Sequence, residues 1–84
     1  MKDIIIAINN LCTGAETKLL LSMLLCEPDE ITMQRMLEMT GITKPNNYFR
    51  TRKRLMNLDY IVITADGPLV NTDKILSDYS LLTK

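Results

Sequence analysis

The chain has no histidine and no tryptophan, and its 84 residues include two cysteines, three glycines and three prolines. Without histidine the commonest general base is missing. Gly14, Gly41 and Gly67 stand far apart, so no glycine-rich phosphate loop is present. Cys12 and Cys26 form no CxxC pair. They read as reduced, small apolar residues of a cytoplasmic protein. Glu27, Asp29 and Glu30 flank Pro28, but a calcium loop needs more oxygen ligands and a glycine, so they read as a solvated acidic connection. An enzyme is therefore not expected, nor a metal site, nor a cofactor.

Long apolar runs are missing as well. The longest are Ile4 to Ile8 and Leu19 to Leu25, the second broken by Ser22. Both fall short of the ~20 residues that span a bilayer, and Lys2-Asp3 leads into no long apolar stretch of the kind a secretory signal has. No membrane association is expected. Aromatic residues make up only 5% of the chain, so the core must rest on Leu, Ile and Met. Six methionines serve there as adaptable filler, with Met33, Met36 and Met39 at helical spacing. The length allows one domain, 1–84, with a core over about 13–71 and an extension at each end.

An excess of charge of either sign is also lacking, since the formal net charge is zero. The charge is nevertheless unevenly placed. Met1 to Glu38 holds three basic and six acidic residues, Met39 to Leu58 five basic and none acidic, and Asp59 to Lys84 two basic and four acidic. A neutral total can hide a positive face, and the face is what attracts an anionic partner.

Local patterning places the elements. Thr13-Gly14-Ala15-Glu16 reads as a capping box, followed by a helix with Ala15, Leu19, Leu20, Met23 and Leu24 at core spacing. Pro28 disfavours helix at Glu27, so this helix stops near Cys26. Thr32 caps a second helix over Met33 to Met39, with Met33, Met36 and Leu37 inward, and Gly41 ends it. Ile42 is an apolar anchor. Thr43 caps a third helix, with Pro45 in its first turn and Tyr48, Leu55 and Leu58 on its buried side. Tyr60-Ile61-Val62-Ile63-Thr64 reads as a strand and Asp66-Gly67 as a turn. Leu69-Val70-Asn71 returns as a second strand, and Ile31 is available as a third. Thr72 caps a last helix carrying Ile75, Leu76, Tyr79 and Leu82. Ile4 to Ile8 fits a strand or a helix packed on the C-terminal segment, the helix being favoured.

The most specific segment is the continuous stretch Met39 to Ile61, with the turn Thr40-Gly41-Ile42-Thr43, the basic run Lys44-Pro45-Asn46-Asn47-Tyr48-Phe49-Arg50-Thr51-Arg52-Lys53-Arg54, then Leu55-Met56-Asn57-Leu58-Asp59 and the exit Tyr60-Ile61. Thr43, Asn46, Asn47, Arg50 and Arg54 share one helical face at ~100° per residue. Asn can bond adenine in two places and Arg can bond guanine in two places. Lys44 and Lys53 flank the stripe and suit phosphates. Solvated helices commonly mix charge signs, and here no acid lies among the bases.

The turn, the polar cap, the basic helix and the aromatic-aliphatic exit resemble winged helix-turn-helix DNA-binding domains of bacterial regulators and of phage and plasmid replication initiators. The resemblance covers about the middle half of the chain and names a superfamily. It implies a mainly α fold with a small β-hairpin wing. It also implies double-stranded DNA binding through a recognition helix over about 43–58, in transcription regulation or DNA replication. The DNA-contacting residues would be Thr43, Lys44, Asn46, Asn47, Arg50, Lys53 and Arg54. Three features depart from the pattern. Arg52 stands near the apolar stripe and can snorkel or pair with Glu16. Asp59 occupies the position where glycine commonly ends the helix. The wing carries Asp66 and no Lys or Arg. Phe49 lies beside Arg50, where core placement, a thymine-methyl contact or a protein interface are each open, core being favoured.

The competing reading is a protein-interaction module that docks an acidic partner on the same basic helix without binding DNA. A further alternative is that the chain is one domain of a longer protein or a subunit of a complex. A DNA reader this small needs two copies for specificity. Ile4–Ile8 and Ile75–Leu82 are the expected homodimer surface.

Overall fold

The computed structural model describes residues 2–83. The elements in chain order are α1 (Lys2–Leu11), α2 (Ala15–Leu24), α3 (Met33–Thr40), α4 (Pro45–Asn57), β1 (Ile61–Thr64), β2 (Gly67–Val70) and α5 (Thr72–Leu82). A short 3-10 turn at Pro28–Glu30 joins α2 to the segment before α3. The fold is mainly helical, with one small antiparallel hairpin that pairs Ile61 with Val70 and Thr64 with Gly67.

The core is built from one stripe of each helix. Ile4, Ala7 and Ile8 of α1 meet Leu19, Leu20 and Met23 of α2. Met36 of α3, Tyr48 and Leu55 of α4, Ile61 and Val70 of the hairpin, and Ile75 of α5 close the same cluster. The Ile4–Ile8 segment is helical and packs on α5. Four residues of the expected homodimer surface, Ile4, Ala7, Ile8 and Ile75, are consequently buried within the chain, and Ile5, Ile6, Leu76, Leu81 and Leu82 stay exposed.

Several helix ends differ from expectation. Thr13 does not cap α2: Gly14 is the N-cap, without a side-chain bond, and the Thr13 carbonyl accepts from the Glu16 amide at 3.2 Å. Lys44 rather than Thr43 is the N-cap of α4, because Pro45 already takes the first helical position. Asn71 rather than Thr72 caps α5, its Oδ1 accepting from the Lys74 amide at 3.3 Å. Thr32 caps α3 as expected, its Oγ1 accepting from the Arg35 amide at 3.2 Å.

Ile31 does not extend the sheet, which has two strands among the described residues. Its amide and that of Thr32 are used locally, donating to the Pro28 and Glu30 carbonyls at 3.3 and 3.0 Å. The 3-10 turn packs instead against β2 at Gly67. A Cβ there would lie 2.6 Å from the Pro28 carbonyl oxygen, and Gly67 has φ +128. Gly67→Ala therefore combines a backbone clash with a strained dihedral. It is expected to destabilise the chain by about 2 kcal/mol or more, read as a lower urea midpoint.

On α3 the buried line is Met36 and Thr40, while Met33 and Met39 flank it and are exposed. These two methionines sit about 60° to either side of Met36 at ~100° per residue, which corrects their expected inward placement. Leu58 is also exposed rather than in the core. It lies past the end of α4, and Tyr60 fills the position next to Leu55 instead.

Tyr60 joins three elements. Its amide donates to the Leu55 carbonyl at 3.0 Å, its carbonyl accepts from the Asn71 amide at 2.8 Å, and its hydroxyl donates to the Asp78 carboxylate at 2.7 Å. Lys74 Nζ donates to the other Asp78 oxygen at 2.9 Å. The Lys74 hydrogen bond and then that of Tyr60 hold the Asp78 carboxyl below its ordinary value. A depressed carboxylate contributes stability that is complete above its unfolded-state value near ~4 and is lost as pH falls through the folded value. Asp78→Asn is expected to flatten the acid limb of the stability profile below about pH 4. Urea midpoints of the two proteins from neutral to acid pH check this.

Candidate nucleic-acid interface

The basic helix α4 is held by its buried side. Tyr48, Thr51 and Leu55 are its buried residues, and burial raises the Tyr48 hydroxyl above its usual range while Arg52 opposes the shift. The Thr51 hydroxyl donates to the Asn47 carbonyl at 2.8 Å. The connection from α3 is short. Gly41 takes the left-handed conformation at φ 75, where other residues are strained. Ile42 then packs half-buried on the core, and its amide donates to Thr40 Oγ1 at 3.2 Å. The far end is set by Asp59, which adopts φ 63 in place of a glycine.

With that side fixed, the opposite face of α4 is open. Asn46, Asn47, Arg50, Lys53 and Arg54 are all exposed, as are Thr43 and Lys44 immediately before the helix. The seven expected contact residues therefore lie on the surface. Thr43 and Lys44, however, precede the first helical turn and do not extend the helical stripe. Asn57 was not among the expected residues. It is exposed and lies seven residues beyond Arg50 and four beyond Lys53, which places it on the same face. That spacing was readable in the sequence.

Two basic residues behave differently from expectation. Arg54, not Arg52, pairs with Glu16, with Nη1 to Oε2 at 3.1 Å, the side chains being 62% and 14% exposed. This contact ties α4 to α2 and contributes on the order of 0.5 kcal/mol in so exposed a setting. Arg54 is thus partly engaged within the chain, whereas among the described residues Lys44, Arg50 and Lys53 make no ion pair. Arg52 is half-buried on the flank of the helix.

Phe49 is exposed to 50% rather than in the core. Its ring meets the Tyr48 ring edge-on at 5.4 Å, and it borders the basic face. The hairpin next to α4 supplies no cation. It presents Ile63, Leu69 and Asp66 to solvent, and its turn is closed by Thr64, whose Oγ1 donates to the Gly67 carbonyl at 2.8 Å.

Cys12 is buried, and burial with the nearby Glu16 pushes its thiol up to about 11, away from reactivity. Cys26 is half-buried with its Sγ 3.6 Å from Met39 Sδ. Among the described residues no group of three or more Cys, Asp or Glu side chains gathers where a metal ion could be held. No helix among them is long and apolar enough to cross a membrane. No family model, curated protein or solved structure matches this chain.

Proposed function

We propose that the chain is a winged helix-turn-helix domain that binds double-stranded DNA through the exposed face of α4, as part of a transcriptional regulator or a replication protein. The observation that carries this reading is the face itself: Asn46, Asn47, Arg50 and Lys53 are exposed together on one side of a helix whose other side is buried. Asparagine and arginine are the side chains that read adenine and guanine edges. Lys44, just before the helix, and Lys53 are side chains suited to phosphates. α3, the turn at Gly41 and α4, followed by the hairpin, supply the element order that such a domain needs.

The hairpin contributes little affinity in this reading, because it carries no basic side chain. The domain would therefore grip DNA mainly through α4, with modest affinity for a single copy. No catalysis and no cofactor enter this function.

A second reading is favoured by one observation. Phe49, half exposed beside Arg50 and Lys53, is the kind of aromatic that anchors protein interfaces. On this reading α4 docks an acidic protein and does not bind DNA. Titration of labelled random-sequence duplex with the chain separates the two. The DNA reading expects affinity to fall about tenfold or more between ~50 and ~200 mM salt as counterions are released from several phosphates. The protein-docking reading expects no duplex binding at the lower salt.

A further inference from the structure

α4 exposes a single large apolar side chain, Phe49, which is 50% accessible to solvent. At ~100° per residue it lies about 40° from Lys53, about 60° from Asn46 and about 120° from Leu55 around the helix. It therefore belongs to the open polar face rather than to the buried stripe of Tyr48, Thr51 and Leu55. Its ring is braced there, because it meets the buried Tyr48 ring edge-on, with centroids 5.4 Å apart and planes at 64°. A face that only held phosphates would gain nothing from a phenyl ring, and leaving the ring in water forgoes its burial. The ring calls for an apolar counterpart within an otherwise polar, anionic partner.

We propose that Phe49 packs on the C5-methyl group of a thymine in the major groove and so fixes one T·A pair of the recognised site. The inference rests on α4 binding duplex DNA, as proposed above. The thymine methyl is the one apolar group that base edges present in the major groove. Phe49 is the fifth residue of α4 and stands in its N-terminal half, the part of a groove-bound helix that meets base edges. Asn46 precedes it by about 4.5 Å along the helix axis and Arg50 follows by about 1.5 Å, while bases of one strand stack ~3.4 Å apart. The thymine accordingly lies within about two base pairs of the positions that Asn46 and Arg50 read. The surroundings of the ring favour this occupant over a protein. Its exposed neighbours Asn46, Arg50 and Lys53 are hydrogen-bonding or cationic, and no acid stands between Met39 and Leu58. One ring among such residues matches one methyl group, whereas a stable protein interface takes roughly 800 Å² from each partner.

The test begins with selection of a random-sequence duplex pool by the whole chain at ~50 mM salt. Anisotropy titrations then use the selected duplex with each thymidine in turn replaced by deoxyuridine, which removes only the methyl group. One replacement is expected to weaken wild-type binding by about fourfold, the worth of one buried methyl, and the others to change little. Phe49→Ala is expected to bind the thymidine and deoxyuridine duplexes equally, and Phe49→Leu, which keeps an apolar side chain, to retain part of the difference. The decisive change is in the DNA, so the wild-type result does not depend on how a variant folds. A selected pool with no fixed thymine, or equal wild-type affinity for every deoxyuridine duplex, overturns the inference and leaves the DNA reading of α4 standing. A methyl effect that persists in Phe49→Ala also overturns it, since another side chain then makes the contact. No duplex binding by the folded wild type overturns the DNA reading itself, and the inference with it.

Discussion

Leu55→Ala is expected to lower the stability of the chain by about 3 kcal/mol, within the range of roughly 2–5 kcal/mol for truncating a buried leucine. Leu55 has no exposed surface, closes the C-terminal end of the buried stripe of α4 and accepts the Tyr60 amide on its carbonyl. Its side chain packs into the cluster that α1, α2, α3 and the hairpin share, so the cavity cannot collapse without moving several elements. For a domain of this length total stability is about 4–13 kcal/mol, and the thermal midpoint should fall by about 15 °C. Lys53→Ala on the opposite face is the control, expected within about 0.5 kcal/mol of wild type. Calorimetry of the three proteins checks both. A small effect at Leu55 would mean that α4 is not anchored by this stripe, and the exposed face would lose its fixed geometry.

The second large effect is on binding. Arg50→Ala with Lys53→Ala is expected to reduce duplex affinity by tenfold or more at ~100 mM salt. A good base contact contributes about 1–3 kcal/mol, and each lost phosphate contact shallows the salt slope by about 0.9. Both residues are exposed and outside the buried stripe, so the double variant should keep its fold. Arg54 is a poorer choice for this test, because removing it also leaves Glu16 without its partner at 3.1 Å. Glu16→Gln is the informative reciprocal change. It takes a carboxylate away from the edge of the basic face and releases Arg54, so duplex binding should strengthen. Fluorescence anisotropy titrations measure all of these. Equal affinity of wild type and double variant would remove α4 from the interface.

The helices and the hairpin were legible because their signals are local. Apolar spacing set the buried stripes of α2 and α4, Thr32 and Gly41 marked the ends of α3, and Asp66-Gly67 marked the turn. The misplaced caps failed for a local reason too. Thr13 beside Gly14, Thr43 beside Lys44-Pro45, and Asn71 beside Thr72 each offer adjacent residues that fit the same role, and a shift of one position follows from the tertiary path. What sequence could not supply was long-range. Glu16 chooses Arg54 over Arg52 because of how α2 and α4 cross. Ile31 is kept from the sheet by the turn at Pro28 and its contact with Gly67. Phe49 and Leu58 are apolar residues whose exposure depends on where the buried stripe of α4 ends. The candidate face itself was legible, since Asn46, Asn47, Arg50 and Lys53 follow the helical period. Asn57 obeys the same period one turn further on.

The account stands or falls on whether this face of α4 meets duplex DNA. The most direct measurement is the anisotropy titration of random-sequence duplex with the wild-type chain and with Arg50→Ala/Lys53→Ala, at ~50 and ~200 mM salt. The account predicts wild-type binding that weakens about tenfold or more over that range, and binding by the double variant that is weaker at both salts with a shallower slope. No binding by the folded wild type at ~50 mM salt, or the same curves for both proteins, would contradict it.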